Sequence, residues 1–123
     1  MANPNIVSVS TINGNTGVLV IPYTATGVAG SNVVGNPAAS GMVYKINTLM
    51  VTNNTASLAS VSLELNRGGT NTAIAYKISV PTNSTLVLLG KDTGLYLLEN
   101  DALTLASSAT NALTAVCSWE QIS

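Results

Sequence analysis

Period-two alternation is the feature that most narrows what this chain can become. Val61, Leu63 and Leu65 fall on one side of an extended run, with Ser60, Ser62, Glu64 and Asn66 on the other. Ile74, Tyr76, Ile78 and Val80 alternate with Ala75, Lys77 and Ser79, and Leu103 and Leu105 with Ala102, Thr104 and Ala106. Successive side chains of a strand point to opposite faces, so the pattern predicts sheets with one face buried and one wet. Residues 86–89 and 95–98 are apolar on both sides, as strands covered on both faces would be. Nowhere do apolar residues recur for long at intervals of three and four, so a helical reading fails.

Turn chemistry separates the runs. Arg67-Gly68-Gly69, Pro81-Thr82-Asn83-Ser84, Lys91-Asp92-Thr93-Gly94 and Glu99-Asn100-Asp101 all hold residues that accept turn dihedrals or hydrogen-bond their own backbone. Asn13-Gly14, between apolar runs at 6–12 and 18–23, predicts a hairpin. Residues 24–41 contain four glycines and almost no large side chain, which predicts an extended arm or long loop. The expectation is one all-β domain, an antiparallel β-sandwich (jelly-roll or Ig-like) of about nine short strands. Within it, residues 1–42 form an N-terminal hairpin plus a Gly/Ala/Asn-rich arm, and residues 43–123 the sandwich core.

Composition says what the outside of such a sandwich is made of. Charged residues are 7% of the chain and hydrophobic ones 46%, whereas ordinary soluble domains are about 25% charged. Disorder needs the opposite balance, low hydrophobicity and high charge. The surface must therefore be hydroxyls and amides, which are cheaper to desolvate than ions. Such faces suit a protein that lies against neighbours. The net charge is −1, and Lys45, Arg67, Lys77 and Lys91 are scattered. Nucleic acid is rejected as a partner, because phosphate binding draws on clustered cations. No apolar run approaches the roughly 18 residues of a membrane span, and Met1-Ala2-Asn3-Pro4-Asn5 does not open a signal peptide. A single cysteine, Cys117, argues for a reducing compartment. The glycosylation patterns at Asn53-Asn54-Thr55 and Asn83-Ser84-Thr85 are read as chance in a chain so rich in Asn and Thr.

Catalysis has little to draw on. The chain has no histidine, the commonest general base and metal ligand. Cys117 sits in the alternating run Leu113, Ala115, Cys117, Trp119, where it is expected as a buried core thiol rather than a nucleophile. The acids Asp92, Glu99 and Asp101 are expected to be solvated turn residues, with Asp101 bonding its local backbone. The competing readings are a calcium site helped by Asn100 and, last, a glycosidase-type acid pair. No glycine pattern leads into a helix to cradle phosphate. We expect no enzyme activity, no cofactor and no metal.

Three stretches carry a resemblance: Ile78-Ser79-Val80-Pro81-Thr82-Asn83-Ser84-Thr85-Leu86, then Leu95-Tyr96-Leu97-Leu98-Glu99-Asn100-Asp101-Ala102-Leu103, then Cys117-Ser118-Trp119-Glu120-Gln121-Ile122-Ser123. The opening seven residues and Val43-Tyr44-Lys45-Ile46-Asn47 look similar too, and the likeness as a whole extends over about two-thirds of the chain. The chain resembles small virion structural proteins of tailed phages, especially those of marine cyanobacteria. It departs from that group at Asn100, where glycine is usual, and at Trp119, where tyrosine is usual; Asn still accepts a left-handed turn.

The resemblance implies a virion protein made in the host cytoplasm, with the major capsid protein or other virion proteins as partners. A capsid decoration or cement role leads; neck, baseplate or tail-fibre base is the alternative. Self-association is expected, with a trimer as the guess. The interface arm would comprise Asn3, Pro4, Asn5, Ile6, Val28, Val33 and Val34. A different class, a host-surface carbohydrate-binding module, would use Tyr23, Tyr44 and Tyr96 as stacking rings.

Overall fold

A computed structural model describes residues 10–26 and 30–123. Among them are nine strands: β1 (Ile12–Val20), β2 (Ser31–Gly35), β3 (Val43–Asn53), β4 (Ala59–Arg67), β5 (Thr70–Val80), β6 (Ser84–Leu89), β7 (Tyr96–Leu97), β8 (Asp101–Ser107) and β9 (Leu113–Ile122). They form two antiparallel sheets. One, here sheet A, has the order β1-β9-β3-β6 with β7 also on β3; the other, sheet B, has the order β2-β8-β4-β5. Only β4–β5 is a hairpin of consecutive strands. Chain neighbours β1 and β2, β2 and β3, β3 and β4, and β5 and β6 lie in opposite sheets. With β7 set aside, eight strands interleaved in this way are a double-sheet jelly roll. The all-β sandwich expected from the alternation is what forms, and the topology selects the jelly roll over the Ig-like alternative.

The core lies between the sheets. Leu49, Val51, Val61, Leu63, Leu97, Leu103, Leu105, Leu113, Ala115 and Cys117 are completely buried there. Ile21 and Val34 join the same cluster. The sandwich therefore takes in β1 and β2 and does not begin at residue 43.

Four sequence expectations fail locally. Asn13-Gly14 is not a hairpin turn: β1 runs straight through it, with Asn13 opposite Gln121 and Gly14 opposite Glu120. A two-residue hairpin of that type needs positive φ at both positions, and neither has it. Residues 31–35 are not part of a loose arm but pair with β8 around a bulge at Val33. Residues 86–89 are not covered on both faces, because β6 is an edge strand and Val87 is 56% exposed.

The fourth concerns β5. Two register shifts interrupt its pairing with β4, between Val61 and Leu63 and between Leu63 and Glu64. At the first, Lys77 takes φ 51°, and its amide donates to the Ser62 hydroxyl at 2.9 Å. Each bulge switches the face that the following residues present. Ala75 then lies opposite Leu63, and Ile74 and Tyr76 are left exposed; Ile78, ahead of the first bulge and opposite Val61, is exposed as well without that cause.

Candidate interaction surface

One end of the sandwich brings together Arg67, Glu99 and Asp101. Asp101 begins β8 and is 1% exposed. Arg67, at the end of β4, donates to it from Nε at 2.8 Å and from its terminal nitrogen at 2.7 Å. The Leu98 amide donates to the same carboxylate at 2.9 Å. Burial pushes this carboxyl up, but the Arg67 hydrogen bonds, the Leu98 amide and the guanidinium charge outweigh it and hold it below its ordinary value. Glu99 is also buried and accepts the Gly41 amide at 2.6 Å. Asn36 completes the corner. Its Nδ2 donates to the Met42 and Leu97 carbonyls, and its Oδ1 accepts the Ser40 hydroxyl at 2.6 Å.

Glu99 and Asp101 are thus not the solvated turn residues expected, although Asp101 does bond its local backbone. They staple the 36–42 loop to the 97–101 corner. Their oxygens accept from the Gly41 and Leu98 amides and from the Arg67 guanidinium. Asp92 lies apart, exposed in a 3-10 turn (Lys91–Thr93). Among the described residues, no group of three or more His, Cys, Asp or Glu could hold a metal ion. Asn100 adopts φ 67°, the left-handed turn expected of it.

The aromatic residues do not assemble into a platform. Tyr44 is buried and stacks on Trp119 with ring centroids 6.3 Å apart, while its hydroxyl accepts a hydrogen bond from Gln121. Tyr23 is exposed beside Ser107, at the edge of the other sheet. Tyr96 is on β7. Stacking rings at Tyr23, Tyr44 and Tyr96 therefore do not share a surface. Cys117 lies in the core as expected, its thiol pushed up to about 12 by burial.

Of the expected arm, Asn3, Pro4, Asn5, Ile6 and Val28 lie outside the described residues. Val34 is a core residue, 4% exposed, and Val33 packs against the core. These two are corrected from arm to strand: β2 pairing with β8 turns Val34 inward. The described part of the 24–41 stretch lies close to sheet B. Thr24 donates its amide to the Ser107 carbonyl at 3.1 Å, and the Tyr76 hydroxyl donates to the Thr26 carbonyl at 3.3 Å. Between this segment and β4, β5 and β8 is a shallow cleft of about 230 Å³ reached by Tyr23, Ser60, Ser62 and Lys77.

The outward face of sheet A is the surface the sequence did not disclose. The register places Val18, Val116, Met50 and Val87 side by side across β1, β9, β3 and β6. Val18 is 70% exposed. On one side lies the row Val20, Thr114, Thr52, Thr85; on the other lie Thr16, Ser118 and Thr48. None of these eleven residues is charged. The first charges on this face are Lys45 and Glu120, paired across β3 and β9. No single strand shows this row, because each contributes one residue to it.

The fold defines a class, the small jelly-roll sandwich, here with one outer sheet face whose charges are confined to one row. No known family profile matches the chain, and no curated protein matches it in sequence. Among solved structures it is similar to a chain of the T13 IBDV viral particle, described with reference to the evolution of icosahedral viruses. The TM-score is 0.53 at 9% identity, over 94% of this chain and 32% of that one. The chain thus spans about a third of the length of the viral chain. At this identity the likeness establishes a shared fold.

Proposed function

We propose that this chain is a structural protein of a virus particle, and that it acts as a decoration or cement protein on a phage capsid. The observation that supports this most is the jelly roll itself, which aligns along nearly its whole length with part of a viral particle chain. Jelly rolls recur in capsid proteins, though also in lectins and cupins, so the fold is an argument by analogy. The surface adds an independent one. Hydroxyl and aliphatic side chains across four strands of sheet A can be desolvated against another protein without stranding a charge. The phage resemblance in the sequence points the same way. Many such contacts, each weak, add up when repeated over a shell.

The test is to mix purified protein with capsids that lack it. Co-sedimentation with a gain in thermal or osmotic resistance is the expected result; failure on both counts removes the cement role. Counting copies in purified virions by quantitative mass spectrometry separates head from tail. Hundreds of copies fit a capsid position, and a small multiple of six fits neck, baseplate or fibre base.

A further inference from the structure

We propose that the outward face of sheet A is a self-complementary dimer interface, in which two copies of this chain pack face to face about a twofold axis parallel to the strands. The inference stands on the chain alone and does not rest on the virion reading.

The pairing follows from the register. In a twofold arrangement about an axis between β9 and β3, each cross-strand row lies over the same row of the second copy with its lateral order reversed. Val18 then covers Val87 of the other copy, and Val116 covers Met50. On one side of this stripe Thr114 lies over Thr52 and Val20 over Thr85; on the other Ser118 lies over Thr48. The one charged row is matched as well: Lys45 sits over Glu120 of the second copy, and Glu120 over its Lys45. An axis across the strands instead would reverse the rows and set both charges against the opposite, uncharged end of the face. Charge complementarity therefore selects one twofold over the other; the assembly proposed is this dimer, whereas the sequence reading expects a trimer.

The size of the face is sufficient. Four strands about 4.8 Å apart give a width of roughly 19 Å. The ten residues of β9 extend about 34 Å at 3.4 Å per residue. About 600 Å² per copy results, or about 1,200 Å² in total, at the lower end of specific interfaces. Stacked sheets pack about 10 Å apart, with strand directions within about 30° of each other. At that separation Lys45 and Glu120 side chains from opposite copies can reach one another.

Sedimentation equilibrium of the purified full chain tests this. The expected mass is twice 12.5 kDa, concentration-dependent, and Val18→Lys or Val87→Glu alone should shift the equilibrium at least tenfold towards monomer. Val18 and Val87 are 70% and 56% exposed in the isolated chain, so both variants should keep the wild-type circular dichroism, and its melting curve at concentrations low enough for the wild type to be monomeric. The decisive variant combines them: V18K with V87E places opposite charges across both symmetry-related contacts and should restore the dimer. A wild type that is monomeric at every concentration overturns the proposal; if that monomer still binds capsids, the face belongs to a capsid protein instead. A dimer indifferent to V18K also overturns it, as does a double variant no better than the singles.

Discussion

Arg67 grips Asp101 with two nearly parallel hydrogen bonds of 2.8 and 2.7 Å, one partner 60% exposed and the other 1%. The asymmetry matters, because a buried carboxylate loses far more without its partner than an exposed guanidinium does. Asp101→Asn should destabilise the fold by about 2 kcal/mol, within the range for hydrogen bonds to charged groups but reduced by solvent screening of Arg67. Thermal melts at neutral pH measure it. Because the folded carboxyl titrates below its unfolded value, its contribution is present above about pH 4 and fades as pH falls through the folded value. The wild type should therefore lose its advantage over D101N progressively as the pH falls below about 4, and a gap that does not narrow with falling pH would refute the assignment.

Trp119 is held against bare backbone. A Cβ on Gly17 would lie 3.0 Å from two atoms of the indole ring and 3.3 Å from the Val33 carbonyl oxygen. Gly17→Ala should cost about 1–3 kcal/mol, the usual range for overpacking. Trp119 is the only tryptophan, so its fluorescence reports the shift directly. Gly30→Ala should be worse, since the added methyl would overlap the Leu105 carbonyl. Chemical denaturation of both variants ranks them.

Asn53 is completely buried and uses its whole amide. It donates to the Ser57 and Val80 carbonyls at 2.8 and 3.0 Å, and accepts the Thr55 amide at 3.0 Å and the Thr55 hydroxyl at 2.6 Å. Asn53→Ala should cost about 3 kcal/mol by leaving these groups unpaired. Asn53→Asp should be worse at neutral pH, setting a carboxylate against two carbonyls, and should recover as it protonates in acid. Urea unfolding at two pH values checks the order. The same burial keeps this asparagine from serving as a glycan acceptor in the folded protein.

Cys117, with its thiol near 12, should be almost inert. At pH 8 roughly one molecule in 10,000 carries a thiolate there. Labelling by a thiol reagent should follow the unfolding equilibrium and accelerate sharply in denaturant. Fast labelling of the native protein would mean that the core opens locally.

The alternation of Leu63 and Leu65, and of Leu103 and Leu105, marked strands that do form and an inward face buried at Leu63, Leu103 and Leu105, but the face expected to be wet is covered as well, at Ser62, Glu64, Thr104 and Ala106. Every turn read between residues 67 and 101 separates elements of the fold. The same rules failed at Asn13-Gly14, where a strong local turn signal lost to nine pairings with β9. They failed again at Ile74 and Tyr76, because a bulge is a mismatch between two strands and leaves no mark on either one alone. Glu99 and Asp101 were visible as an acidic cluster, but their partners Gly41 and Arg67 lie 58 and 34 residues away.

Sequence by itself determined the extended backbone, the inward leucines and valines of the central strands, and an outside almost free of ions, since each depends on residue type and near neighbours. Tertiary structure alone decided that the strands interleave as a jelly roll, and that Val34 faces the core. It also gathered Val18, Val116, Met50 and Val87 into one apolar row. The physical reason is that β1 lies against β9 and β2 against β8, strands near opposite ends of the described chain: which strands meet, and in what register, is settled by contacts between segments distant along the chain.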